Sequence, residues 1–89
     1  MSRAHTTHAD IVNRLKRADG HLRRIVAMIE EGRPCVEVAQ QLHAVEKAIS
    51  QAKKTFVHDH IDYGLAGSVE RKRDAHDLVK EFKEISKYL

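Results

Sequence analysis

The side chains of this sequence that are best suited to bind a metal ion or to react covalently are one cysteine and several histidines. Cys35 is the only cysteine among the 89 residues, so it cannot form an internal disulfide. A lone thiol of this kind suits a reducing compartment, where it serves as a ligand, a reactive group or a buried apolar side chain. His58 and His60 form a His-Asp-His segment, and His5 and His8 lie near the N-terminus. Thiolate and imidazole together suit Zn, Ni, Co or Cu(I).

The spacing of Cys35 and His60 determines where such a site can form. Cys35 follows Pro34 at the predicted start of a helix, a position that favours the thiolate form. His60 lies 25 residues later on the same predicted helix, which corresponds to roughly 38 Å. The two side chains cannot meet within one chain, but two such helices packed antiparallel would place Cys35 of one chain beside His60 of its partner. His5 and His8 could fold over that site, although solvated histidines and an inert buried thiol remain the alternative.

The elements that position these residues are predicted from apolar residues repeated at steps of four and three, the spacing of one helical face. The first predicted helix runs from about His8 to Glu31, with Thr7 as its N-cap. Gly32 and Pro34 follow its end and prevent its continuation. Its apolar stripe consists of Ile11, Leu15, Ala18, Leu22, Ile25 and Ile29.

The second predicted helix begins at Pro34 or Cys35 and reaches about Tyr63, with Gly64 as its terminator. Almost thirty helical residues span on the order of 45 Å, so this helix must lie against others, including helices of another chain. Its stripe consists of Val38, Leu42, Val45, Ile49, Ala52 and Phe56.

The third predicted helix runs from about Ser68, its N-cap, to Tyr88. We therefore expect one all-α domain over residues 1–89, in which three antiparallel helices include a long central helix and residues 1–7 form a flexible arm. A chain of this length buries only a thin core, so we expect it to oligomerise. No apolar run is long enough to span a membrane, and no signal peptide precedes the first helix, so we expect a cytoplasmic protein.

The charge of the chain permits nucleic acid as a partner. The net charge is +3, and basic residues crowd the N-terminal quarter. A row of cations on a helical face can contact DNA phosphates, although an ordinary solvated face has the same composition. No helix-turn-helix is evident. No catalytic set of side chains is evident either, so we predict that the protein is not an enzyme.

The chain from Ile11 to His60 resembles the CsoR/RcnR/FrmR family of bacterial transcriptional repressors. The resemblance rests on four segments: Arg14-Leu-Lys-Arg-Ala-Asp-Gly-His-Leu, Met28-Ile-Glu-Glu-Gly-Arg-Pro-Cys35, Gln40-Gln-Leu-His-Ala-Val45 and His58-Asp-His-Ile61. It implies a homotetramer, built as a dimer of dimers, that binds double-stranded operator DNA and releases it when an inducer binds. It also implies that Cys35 of one protomer faces His60 of its partner. The DNA-binding cations implied by the resemblance are Arg14, Lys16 and Arg17, joined by Lys53 or Lys54.

One departure from the family bears on the inducer. Four residues after His60, copper sensors of the family carry a second Cys and nickel or cobalt sensors carry a His, whereas this chain has Gly64. We therefore expect the inducer to be Ni, Co or Zn more than Cu(I), bound by Cys35 and His60 with His5 or His8. Asp62 or Tyr63 is a further possible ligand.

Two alternatives to a metal-responsive repressor remain at this point. Formaldehyde could cross-link Cys35 to the N-terminal amine of Ser2, exposed once Met1 is removed, because formaldehyde-responsive relatives are bridged in this way. A helical metal-binding interaction module that does not bind DNA is the other alternative.

Overall fold

The structure, a computed structural model, describes the backbone of residues 3–71 and 75–89 and the side chains of residues 8–62 and 76–89. This part of the chain forms three helices and no strand: α1 (Arg3–Glu30), α2 (Cys35–Arg71) and α3 (Ala75–Ser86). α1 packs along α2, and α3 runs back against α2 without contacting α1. The predicted all-α fold with a long central helix is therefore confirmed. None of the described helices is both long and apolar enough to cross a membrane.

The first helix starts earlier than the sequence predicted. α1 begins at Arg3, so Thr7 lies within it and is not its N-cap, and residues 3–7 are helical where an arm was expected. No Gly or Pro occurs in this segment. The helix can therefore extend towards the N-terminus without a breaking residue.

The boundary between the second and third helices was also predicted wrongly. α2 continues through Gly64 to Arg71, so Ser68 lies inside α2, and α3 begins at Ala75 instead. A glycine within a helix costs only about 1 kcal/mol relative to alanine, a cost that neighbouring helix-forming residues can offset.

The turn between α1 and α2 agrees with the sequence prediction. Gly32 has a φ of 73°, in the left-handed region that favours glycine. Its N–H donates to the carbonyl of Ile29 at 3.1 Å, and the N–H of Arg33 donates to the carbonyl of Met28 at 3.0 Å. These two bonds form a Schellman motif, which satisfies the last carbonyls of α1. Four residues separate the end of α1 at Glu30 from the start of α2 at Cys35.

The core of the protomer contains only half of each predicted stripe. Every second stripe position of α1 and α2 is buried between the two helices, except that Val38 is only partly buried, and the positions between them are exposed. The exposed stripe residues and two neighbouring valines form what we call the apolar face: Val12, Leu15, Leu22, Val26, Ile29, Leu42, Ile49 and Phe56. The buried residues include Ile11, Ala18, Ile25, Val45 and Ala52.

The protomer is elongated and thin. It measures 57 × 28 × 14 Å along its principal axes, and a single helix with its side chains is already about 10–12 Å across. The hairpin of α1 and α2 therefore forms one layer of helices, whereas a stable domain usually packs two layers around a core.

Candidate metal centre and nucleic-acid interface

Cys35 lies at one end of α2 and is accessible. It is the first residue of the helix, and its thiol is free and exposed. The carbonyl of Pro34 accepts a hydrogen bond from the N–H of Val38 at 3.2 Å, which closes the first turn. Arg33 and Glu37 form a fork across this turn, with Nη2 to Oε1 at 3.2 Å and Nε to Oε2 at 3.3 Å. The hydrogen bond to Glu37, and then its charge, raise the pKa of Arg33. The basic group beside Cys35 is therefore already paired.

His60 lies on the same helix and is held by a carboxylate of α3. Its Nε2 is hydrogen bonded to Oε1 of Glu81, and both side chains are partly exposed, at 42% and 35%. A histidine that binds a metal commonly donates its other ring nitrogen to a carboxylate, which fixes the ring orientation. This contact leaves Nδ1 of His60 as the nitrogen to bind a metal. Glu81 could not be predicted from the sequence, because no spacing rule connects residues on separate helices.

His8 contacts α2 next to this position, but it faces a different side chain. Its ring stacks on Phe56, with centroids 5.3 Å apart, and its Nε2 lies 3.6 Å from Oδ2 of Asp59. This distance permits an electrostatic contact but exceeds a hydrogen bond, so Oδ2 is buried without a hydrogen-bond partner. The structure therefore brings His8 to Asp59. Ser2 and the side chain of His5 lie outside the described part of the chain.

No complete metal site forms within the part of the protomer whose side chains are described. No group of three His, Cys, Asp or Glu side chains comes together there. Cys35 and His60 lie on the single continuous helix α2, 25 residues apart, and this places them roughly 38 Å apart along the axis. The inference that they cannot meet within one chain is confirmed.

The predicted DNA-binding cations divide between different surfaces. Arg14 and Arg17 line a groove between α1 and α2. Lys53 instead lines the groove of the apolar face. Lys16 and Lys54 are exposed and line neither groove. Only Arg14 and Arg17 of the five cations therefore line the same one of these two grooves.

The groove with Arg14 and Arg17 continues along the hairpin. His21 lines its first part, Gln41 lines its second part, and the 2.6 Å hydrogen bond between them connects the two. We call this surface the basic groove. Its polar lining consists of Arg14, Arg17, His21, Arg24, Arg33, Gln40, Gln41 and Gln51, with Glu31 and Glu37 at the end near Arg33.

The chain is similar in sequence to known transcriptional repressors. The copper-sensing transcriptional repressor CsoR of Mycobacterium ulcerans is 38% identical over 58 residues, which cover 65% of this chain and 50% of the relative. CsoR of Bacillus subtilis is 31% identical over 77 residues, which cover 86% of this chain and 75% of the relative. The match thus spans about half the length of the mycobacterial relative.

A solved structure and a family match extend over most of the chain. The nickel-responsive transcriptional regulator InrS superimposes with a TM-score of 0.79 at 30% identity, covering 89% of this chain and 88% of that one. Residues 7–89 match the family described as metal-sensitive transcriptional repressors. Its members are regulators and not enzymes, as the sequence predicted. With these residues matched and the same three-helix fold, the chain belongs to the family of metal-sensitive transcriptional repressors.

Proposed function

We propose that this protein is a homo-oligomeric repressor that binds double-stranded operator DNA and releases it when a transition-metal ion binds between protomers. Cys35 of one protomer and His60 of its partner would supply the ligands. The observation that carries the proposal is that both exposed ligands lie on the one helix α2, too far apart to share an ion within a chain. An antiparallel pair of α2 helices removes that separation.

The apolar face supports assembly. Leu15, Leu22 and Ile49 are 39–44% exposed in the protomer, although large apolar side chains gain about 1.5–3 kcal/mol each when fully buried. A second copy packed on this face would supply the missing layer of helices. On α3, Val79 and Phe82 are also about half exposed, at 54% and 48%. This second apolar surface would join two dimers into the tetramer.

The ligands of this chain favour Ni, Co or Zn over Cu(I). The relatives include copper sensors and a nickel-responsive regulator, so the preference rests on the donors available here. Each protomer has one thiol, and Gly64 has no side chain to bind a metal. A site with one thiolate and nitrogen or oxygen donors suits Ni, Co or Zn better than it suits Cu(I). His5 and His8 are the candidate third ligands, and recruitment of His8 would break its contact with Asp59.

The contact between His60 and Glu81 suggests how metal binding would change the packing of the helices. His60 belongs to α2 and Glu81 to α3, so reorientation of the imidazole would change how α3 packs on α2. The partner's Cys35 is the first residue of the partner's α2, and it would be drawn towards the same metal ion as His60. Induction requires only that the ligand prefer one arrangement of the oligomer, and a coupling of about 1–3 kcal/mol is sufficient.

The test is fluorescence anisotropy of the protein on DNA from its own promoter region, challenged in turn with Ni(II), Co(II), Zn(II), Cu(I) and formaldehyde. We expect Ni(II), Co(II) or Zn(II) to release the DNA. Cys35→Ser should bind DNA normally and fail to respond. Glu81→Gln should require about 10–100-fold more metal, because the orientation of His60 is lost. Glu84→Gln, which removes an exposed carboxylate on the same helix, is the matched control.

Other outcomes would contradict parts of the proposal. Release by Cu(I) alone would overturn the metal preference. Release by formaldehyde alone would replace the metal site with a cross-link between Cys35 and the amine of Ser2. A protein that binds metal but no DNA would be a helical interaction module instead of a repressor.

A further inference from the structure

The arginines of α1 differ in whether a carboxylate already neutralises them. Among the described side chains, Arg17 and Arg24 have no carboxylate within ion-pair distance, whereas two other arginines of the helix each pair with an aspartate one turn earlier. The pairs are Arg14 with Asp10 at 3.0 Å and Arg23 with Asp19 at 3.2 Å. Arg17 and Arg24 are therefore the uncompensated arginines among the described side chains of this helix.

The two uncompensated arginines face the same groove. Arg17 lines one part of the basic groove and Arg24 lines the other. They are seven residues, or two helical turns, apart, which places them about 10 Å apart along the axis. The middle of the groove on the α2 side carries the uncharged side chains of Gln41 and Gln51. A phosphate backbone could thus approach both arginines without meeting a carboxylate between them.

A fixed amide lies between these arginines. His21 occurs between Arg17 and Arg24 along α1, and its Nε2–H donates to Oε1 of Gln41 at 2.6 Å across the two helices. Both side chains are partly buried. Because the amide oxygen is occupied by His21, the NH2 group of Gln41 is left as a donor. An oriented amide donor beside two arginines suits phosphate or the acceptor edge of a base.

We propose that Arg17 and Arg24 contact DNA phosphates on either side of Gln41, that Gln41 donates a hydrogen bond to the DNA, and that His21 is the positioning residue for its amide. This inference rests on the proposed repressor function. It adds Arg24, His21 and Gln41 to the DNA surface.

The first test compares two neighbouring arginines by the salt dependence of DNA binding. Arg24→Gln should reduce the slope of log K against log salt by about 0.9 for each copy that contacts a phosphate. It should also weaken binding about 10-fold or more at low salt. Arg23→Gln is the matched control: it removes the same charge from the next residue, but Arg23 is paired with Asp19 and lies outside the groove. It should leave the slope unchanged.

The second test is a double-mutant cycle on His21 and Gln41. His21→Ala should weaken DNA binding, and adding Gln41→Ala should cause little further loss. His21→Gln should restore binding, because glutamine also offers an N–H donor. The melting temperature and helix content of each free variant are measured in parallel. Simple additivity, or a loss of affinity that follows only the loss of folded protein, would contradict the positioning role.

The outcomes separate this inference from the proposed function. A parent protein without salt-dependent binding to promoter DNA would overturn the repressor function, and this inference with it. A parent protein that binds steeply, with equal slopes for Arg24→Gln and Arg23→Gln, would overturn the inference alone.

Discussion

The two long faces of the α1–α2 hairpin differ in chemistry, although residues one or two positions apart on the same helices line them. Leu15 belongs to the apolar face while Arg14 lines the basic groove, and Ile49 and Gln51 divide in the same way on α2. Only every second stripe position fills the space between the helices. A stripe with a four–three repeat therefore does not describe one core: one set of positions holds the protomer together, and the other set stays exposed on the protomer surface.

The largest effect is expected from adding the same charge to each face. Ile49→Glu should dissociate the oligomer, because it places a carboxylate within a surface that a second copy would bury. DNA binding should be lost with assembly. Gln51→Glu, two residues later, should leave assembly intact. It should weaken DNA binding by about 10-fold or more at low salt, because it places a carboxylate that repels DNA phosphates beside Arg14 and Arg17.

Sedimentation velocity and anisotropy distinguish these two variants. If Ile49→Glu assembles as the parent protein does, the apolar face is not the interface. If Gln51→Glu binds DNA normally, the basic groove is not the DNA surface.

A smaller effect is expected when an isoleucine of the core and an isoleucine of the apolar face are each truncated to alanine. Ile25 is 2% exposed and Ile29 is 57% exposed in the protomer. Ile25→Ala should lower the free energy of unfolding by about 2–5 kcal/mol, because it leaves a cavity between α1 and α2. Ile29→Ala should act mainly through assembly, so its cost should depend on protein concentration. Urea unfolding at several concentrations checks this, and concentration-independent unfolding of both variants and the parent would contradict the distinction.

The smallest effect is expected at a position that belongs to neither face. Gly20 lies within α1, and a Cβ atom added there would meet no atom within 4 Å. Gly20→Ala should raise stability by about 1 kcal/mol through helix propensity alone. Thermal melting should show the gain, with assembly and DNA binding unchanged. Gly32→Ala is the contrasting variant and should lose stability, because its φ of 73° strains any other residue.

Much of the fold could be predicted from residue patterns, and the errors have local causes. The stripes correctly predicted three helices, and Gly32 correctly predicted the end of α1 because its left-handed conformation is required there. Gly64 was misread as a similar stop, which also misplaced the start of α3. Gly32 is left-handed and is followed by Pro34, whereas Gly64 is followed by residues that continue α2.

The candidate site was less predictable where it depends on contacts between helices. The separation of Cys35 and His60 followed from the rise of a helix and was confirmed. The pairing of His60 with Glu81, and of His8 with Asp59, depends on how separate helices pack, which no local pattern encodes. The position of Lys53 is different: it follows the buried Ala52, so a helical projection could have placed it beside the apolar face.

The 14 Å thickness of the protomer has a consequence for signalling. In a thick domain, an effector on one side must act through an interior that separates it from the opposite surface. Here only the thin core between α1 and α2 separates the two faces, because the helices that carry the apolar face on one side carry the basic groove on the other. A tilt of α1 against α2 moves both surfaces at once. Under the proposed function, such a protein would need no internal relay, because each helix would carry both a surface for assembly and a surface for DNA.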